Sequence, residues 1–426
     1  MGLVCAAVGG MFRSVKEMRK MMKYLVILGD GMADEPIEKL GGKTPIEYAE
    51  TPNLNRLSKM SEIGMVHTIP DGMKPGSDTA NLSVLGYDPA VYYSGRSPLE
   101  ALSIGVPMAE DDIALRCNIV TISQENVPFE EQTIIDHSSS EISTEDCAVL
   151  LKAVAEQLAN ETYQFYVGTS YRHCLIWKGG SVVELTQPHD VLGQVIGQYL
   201  PQDQVLREMM KKSYDILADH PINIERKKQG LNPANCCWFW GAGTKPRLSS
   251  FEEKTKKRGM MVSAVDLLKG IAVGAGMGVA LVEGANGGLH TNYAGKVEAA
   301  VKALTQDGYD FAYIHVEAPD EMGHQGSVEK KVRAIEYLDT EVIGPAVEKL
   351  TAAGVDFRLL VLPDHPTPIR VRTHTSDSVP YLLYDSTAPE EHDWGYSEAQ
   401  GRASGNYITP GHKLMDKFLE LDGNKK

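Results

Sequence analysis

The chain has 426 residues, with 42 Lys and Arg against 57 Asp and Glu, a formal charge of −15. Apolar residues make up 42% and charged residues 23%, the balance of a globular protein with two or three domains at roughly 150 residues each. The acidic excess argues against a general nucleic-acid or anionic-membrane binder, though it leaves room for a local basic pocket, and no run approaches the roughly 18 apolar residues of a membrane span.

At the start, Gly2–Phe12 is apolar and the basic cluster Arg13, Lys16, Arg19 and Lys20 follows it, the reverse of a secretory signal. The expectation is a disordered leader over 1–22 and a natural start near Met22. In chain order, the pattern then predicts a strand at Tyr24–Leu28, a helix at Thr51–Ser61 and a strand at Leu115–Ile122. A helix at Glu145–Ala159, a strand at Tyr163–Val167, a helix at Gln204–Asp219 and a strand at Cys236–Trp240 follow. The remainder reads as helices at Ala264–Val273, Ala294–Gln306 and Val328–Ala353, with strands at Phe311–Val316 and Leu359–Leu362.

Strand then helix, repeated, with apolar runs buried on both faces, implies an α/β fold with a largely parallel sheet. The first and last strands bracket most of the chain. The core domain is therefore expected over 23–110 and 215–426, with a smaller inserted α/β domain over 111–214. Six cysteines without a C-x-x-C spacing read as reduced thiols of a cytoplasmic protein. Gly41–Thr44 lacks the first glycine of a P-loop, and Gly274–Gly278 does not complete a dinucleotide fingerprint.

The sharpest signal lies at strand ends. Asp30 follows Tyr24–Leu28, Asp320 follows Phe311–Val316, and Asp364 with His365 follows Leu359–Leu362. Ligands of open α/β sheets gather there, and three carboxylates together need a positive charge between them. His324 lies four residues after Asp320, and His374 ten after Asp364. Mixed carboxylate and imidazole donors suit Zn²⁺ or Mn²⁺ and disfavour Ca²⁺ or an all-oxygen Mg²⁺ cage. Taken singly, each Asp reads as a turn residue and each His as a loop residue. Pro75-Gly76 delivers Ser77 to a helix start, where a serine is either an N-cap or, with a metal to lower its pKa, a nucleophile for a phosphoryl group.

These segments together resemble the cofactor-independent (2,3-bisphosphoglycerate-independent) phosphoglycerate mutases, in their archaeal-type branch of the alkaline phosphatase superfamily. The resemblance runs from Met22 to about residue 420. It rests on Ile27–Met32, Pro75–Asp78, Tyr92–Ala101, His315–His324, Pro363–His365 and the His374 segment. It implies an alkaline-phosphatase-like core, an inserted domain over the active site, and a phosphoserine formed on Ser77. It implies one metal on Asp30, Ser77, Asp364 and His365, and another on Asp320, His324 and His374. The two divalent ions would be Mn²⁺ or Zn²⁺, with Mg²⁺ or Co²⁺ also admitted, and 2,3-bisphosphoglycerate is not required. The implied activity interconverts 3-phosphoglycerate and 2-phosphoglycerate in glycolysis. Transfer to another small hydroxyl acceptor such as homoserine, or to water, is the alternative. A substrate with carboxylate and phosphate needs cations; the candidates are Arg116 with Asn118, Arg172 with His173, Arg226, Lys245 and Lys296. The implied partner is a small phosphorylated substrate, with an oligomer left open.

Overall fold

The segment Tyr24–Leu28 is apolar at every position, a pattern that demands cover on both faces. The computed structural model, which describes residues 21–420, sets it mid-sheet. The leader expected over 1–22 thus lies almost wholly outside the described residues. Strands β1 (Lys23–Gly29) and β2 (Ser61–Val66) open the core. A second sheet follows, from β3 (Ile113–Ile122), β4 (Ile134–Asp136), β5 (Tyr163–Thr169), β6 (Arg172–Trp177) and β7 (Cys236–Thr244). Then β8 (Gly259–Val262), β9 (Gly278–Ala280), β10 (Phe311–Val316), β11 (Phe357–Leu362), β12 (Val379–Asp385) and β13 (Tyr407–Ile408) complete the first.

The core sheet runs β13-β2-β12-β11-β1-β10-β8-β9. Only β12 is antiparallel to its neighbours. Alternation along β1 sends Leu25 and Ile27 into one apolar cluster and Val26 and Leu28 into another, all fully buried. Helices Tyr293–Thr305 and Val328–Tyr337 cover the first face, and helix Asp266–Gly274 the second. In register, Gly29 of β1 lies beside Val316 of β10, and Leu28 beside Leu362 of β11. Three strand ends therefore open at one edge.

Three expectations need correction. The helix from Thr51 stops at Ser58, and Ser61 already opens β2. The single helix Val328–Ala353 is three segments, with a π-helical stretch at Leu338–Ile343 before Gly344–Ala352. Pro345 removes an N–H there and crowds the preceding turn. The domain boundary at 214 falls inside helix Gln204–Leu217, and the second sheet continues to β7. Leu206, Met209 and Met210 of that helix pack with Cys236–Trp240, so the second unit closes its core only at Thr244. Its sheet is antiparallel throughout, with β3 buried along its whole length.

His173 lies on β6 inside this cap. Its Nδ1 accepts the Gly168 N–H at 3.1 Å, so its proton sits on Nε2, 3.1 Å from Cys147 Sγ. Burial pulls the imidazole down to about 4. A depressed pKa means the unfolded chain takes up the proton first. The stabilisation is complete above pH 6.5 and is lost as pH falls toward 4, a swing of about 3 kcal/mol. Urea unfolding of the metal-free protein at pH 7.5 and pH 4.5 should show this loss in the parent, and a smaller loss in His173→Gln.

Candidate active site

Asp30 follows β1 directly, Asp364 follows β11 after Pro363, and Asp320 stands in the first turn of helix Ala318–His324 after β10. All three are buried. Gly31, at φ +58°, permits the approach, because a Cβ there would lie 2.4 Å from Asp320 Oδ1. The carboxylates are not equally satisfied. Asp364 accepts from the N–H groups of Gly31 and His365 (3.1 and 2.9 Å) and from Asn81 Nδ2 (2.9 Å). Asp320 faces His324 Nε2 at 3.2 Å and His374 Nε2 at 3.5 Å. Burial raises its pKa, but the two imidazoles outweigh burial and hold it well below the usual carboxylate range. Asp30 Oδ2 meets His315 Nε2 at 2.8 Å, whereas its Oδ1 is buried with no hydrogen-bond partner. Burial, then Asp364 and Asp320, push the Asp30 carboxyl well up.

These features fit divalent cations. Asp320, His324 and His374 converge within 4.8 Å, as do Asp30, Asp320 and His365. His324 Nδ1 lies 2.9 Å from the Arg372 carbonyl and must donate to it, while Asp320 pushes the imidazole pKa up to about 9, so that a proton on Nε2 faces the carboxylate until a cation takes the place of that proton on Nε2. That nitrogen faces His374 Nε2 at 3.0 Å, an approach that requires a shared proton or a shared cation. The orphaned Asp30 Oδ1 marks a second place where positive charge is wanted.

Ser77 is not an N-cap. It is the first residue of helix Ser77–Val84, and Gly76 precedes it without a side-chain cap. Its Oγ instead lies 3.1 Å from His365 Nε2. In the next turn Asn81 donates to both the Ser77 carbonyl and Asp364.

A cavity of about 1040 Å³ lies between the two sheets. Gly76, Asp78, Tyr93, His324 and His374 line its core side, and Arg116, Asn118, Arg172 and Trp240 its cap side. An adjoining pocket of about 290 Å³ shares Arg96, Arg116 and Arg172. Glu100 holds Arg96 Nε at 2.8 Å and Arg116 Nε at 2.7 Å. Burial pushes the Glu100 carboxyl up, but Arg116 and Arg96 outweigh it and keep it ionised. Arg116 also stacks over Trp240 at 4.4 Å. Asn118 Oδ1 accepts from Trp240 Nε1 at 3.2 Å, and its buried Nδ2 has no partner.

Other expected substrate cations are elsewhere. Although His173 borders the smaller pocket, both ring nitrogens are engaged within the cap. Arg226 spends its guanidinium on the carbonyls of Ser139 and Asn232. Lys245 pairs with Glu110 at 3.4 Å and lines neither cavity. Lys296 is buried beneath the site and donates to the His315 carbonyl at 2.9 Å. Burial pulls its ammonium down to about 8. Sequence reading missed Arg96, Glu100 and His315. The i, i+4 pairing of Arg96 with Glu100 was a usable signal. His315, buried inside an apolar strand, was another.

A helix-start hydroxyl beside clustered carboxylates and imidazoles, facing fixed guanidinium groups, is the equipment of phosphoryl transfer. The chain belongs to the 2,3-bisphosphoglycerate-independent phosphoglycerate mutase family. A family model of that description matches residues 58–223. The mutase of that name from Methanosarcina barkeri is 48% identical over 382 residues, covering 87% of this chain and 94% of the relative. A Geobacter sulfurreducens protein described as a probable mutase of this kind is 44% identical, over 94% of this chain and all of the relative. Among solved structures, the PH0037 protein from Pyrococcus horikoshii aligns with a TM-score of 0.78 at 30% identity, covering 95% of this chain and 98% of that one. The cofactor-independent phosphoglycerate mutase from Thermoplasma acidophilum aligns at 0.62 and 27% identity, covering 94% and 100%.

Metal analysis after dialysis should find His374→Ala short of one ion relative to the parent. Ser77→Ala should retain the parent's metal content while losing all phosphoryl transfer.

Proposed function

We propose that this protein interconverts 3-phosphoglycerate and 2-phosphoglycerate through a phosphoserine on Ser77. The observation that carries the reading is the Ser77 hydroxyl, 3.1 Å from His365 Nε2, beside a cleft lined by its neighbours Gly76 and Asp78, whose cap wall holds Arg116 and Arg172. Two divalent ions, Mn²⁺ or Zn²⁺, held by Asp30, Ser77, Asp364 and His365 and by Asp320, His324 and His374, would lower the serine pKa and offset charge on the phosphoryl oxygens.

The chain's own groups do the rest. Ser77 Oγ bonds to phosphorus as the bond to O3 of 3-phosphoglycerate breaks, and the proton lost by the serine is balanced by the one that O3 of glycerate gains. The first-turn N–H groups of helix Ser77–Val84 favour the resulting phosphate. Arg96, Arg116 and Arg172, of which two are fixed by Glu100, hold the carboxylate and phosphate oxygens. Glycerate stays between the domains, its O2 bonds to phosphorus as the bond to Ser77 Oγ breaks, and the proton lost by O2 is balanced by the one that restores the Ser77 hydroxyl. Water must be kept out meanwhile, which the cap's position over the cleft serves. Every cysteine among the described residues is unpaired and buried, which supports a cytoplasmic setting. Among the described residues, no helix is long and apolar enough to cross a membrane.

The test is a paired assay on one metal-loaded preparation. With 3-phosphoglycerate, NMR should follow conversion to 2-phosphoglycerate without free phosphate. With homoserine and ATP, no phosphohomoserine should form. Product only in the second arm would sink the mutase reading and keep the serine chemistry. Release of phosphate at the rate of substrate loss would make the protein a phosphatase.

A further inference from the structure

Thr367 belongs to neither expected ligand set, yet it touches both. It leaves β11 in Asp364-His365-Pro366-Thr367 and is wholly buried. A hydroxyl has one proton and two lone pairs. The Thr367 proton goes to Asp320 Oδ1, since a carboxylate can only accept. His365 Nδ1 lies 3.3 Å from the same Thr367 oxygen. With the hydroxyl proton committed, the remaining bond must run from His365 Nδ1–H into a Thr367 lone pair. The Pro366 carbonyl, also 3.3 Å from Nδ1, can likewise only accept. Both neighbours therefore select the tautomer with Nδ1 protonated and Nε2 bare. The bare Nε2 faces Ser77 Oγ at 3.1 Å and Asp30 Oδ1 at 3.5 Å.

Thr367 is itself fixed from behind. The buried Lys331 ammonium donates to the Thr367 carbonyl at 2.8 Å, to the Ala33 carbonyl at 3.2 Å and to Asp34 Oδ2 at 2.8 Å. Ala33 and Asp34 follow Asp30 out of β1, so one ammonium ties the β1 and β11 exits together. The packing leaves no slack, because a Cβ on Gly31 would fall 2.5 Å from Thr367 Oγ1.

We propose that Thr367 is a positioning residue that, together with the Pro366 carbonyl, sets the ring tautomer of His365 and that joins the two divalent-cation sites into one unit, with Lys331 holding it in place. This rests on the two-ion reading above. A ligand lost from one site weakens that site, whereas loss of the Thr367 hydroxyl takes a donor from Asp320 and one of the two Nδ1 acceptors from His365 at once.

The test uses the full chain stripped of metal by a chelator and titrated with Mn²⁺ in equilibrium dialysis. Thr367→Val, close in shape, should weaken both ions by about 10- to 100-fold. Thr367→Ser should restore both affinities, and His374→Ala should weaken one only. Independently of any variant at 367, ¹⁵N-histidine spectra of the metal-free parent should show His365 protonated at Nδ1, assigned by its absence from His365→Asn. A parent His365 protonated at Nε2 overturns the proposal. So does Thr367→Val binding both ions as the parent does, or weakening only one. A parent that takes up no Mn²⁺ overturns the two-ion reading and this proposal with it, whereas two ions in parent and Thr367→Val alike remove only the role of Thr367.

Discussion

Asp30, Asp320 and Asp364 leave three adjacent parallel strands at one edge, and all three are buried. Like charges in a low dielectric repel strongly, so each carboxylate needs its own compensation. Asp364 has it in backbone and amide N–H donors. Asp320 has it in Thr367 and two imidazoles. Asp30 has only His315 on one oxygen. The uneven satisfaction is informative. A fold with no use for a cation there would leave an unsolvated carboxylate oxygen at a cost of several kcal/mol. His315 is in turn held by Ser263 Oγ at 3.1 Å, and its carbonyl by Lys296, so the support for Asp30 reaches through two further layers.

The cap answers a second constraint. A chain of net charge −15 must still receive an anion. It does so locally, on the wall of the larger cavity, where Lys74, Arg96, Arg116 and Arg172 outnumber Asp78 and Asp190, and Glu100 holds Arg96 and Arg116 in place. Glu100 does more than neutralise. A guanidinium on a flexible stem loses entropy when it grips a ligand, and a carboxylate that gives one oxygen to each of two arginines, with an aromatic face beneath one of them, removes part of that loss in advance. Arg116, fixed between Glu100 and Trp240, is placed before any substrate arrives.

Much of the core was legible because its signals are local. A short apolar run on a strand covered on both faces, ending in Asp, needs no knowledge of the rest of the chain. That is how Asp30, Asp320 and Asp364 could be named together, whereas Ser77 is marked by the Pro75-Gly76 turn before a helix start. The unreadable parts depend on long-range pairing or on side-chain direction. Cys236–Trp240 looks like any core strand, and only its partner β3 assigns it to the cap sheet. Arg226 and Lys296 each carry a cation in a helix, and composition does not tell that one turns toward carbonyls in the cap and the other lies beneath His315. Asn81 and Thr367 are ordinary residue types whose importance comes entirely from what the fold puts beside them.

The helix Arg96–Ser103 connects these two halves of the problem. Its Leu99 packs into the core cluster that holds β1, while its Ala101 packs with Ala114 and Ile176 of the cap. Glu100 lies between them and bonds Arg96 on its own helix and Arg116 on β3. The cations that face a substrate are thus set by a carboxylate mounted on the element that joins the domains. The arginines that face the cleft and the packing between core and cap therefore share one short helix, so displacing that helix disturbs both.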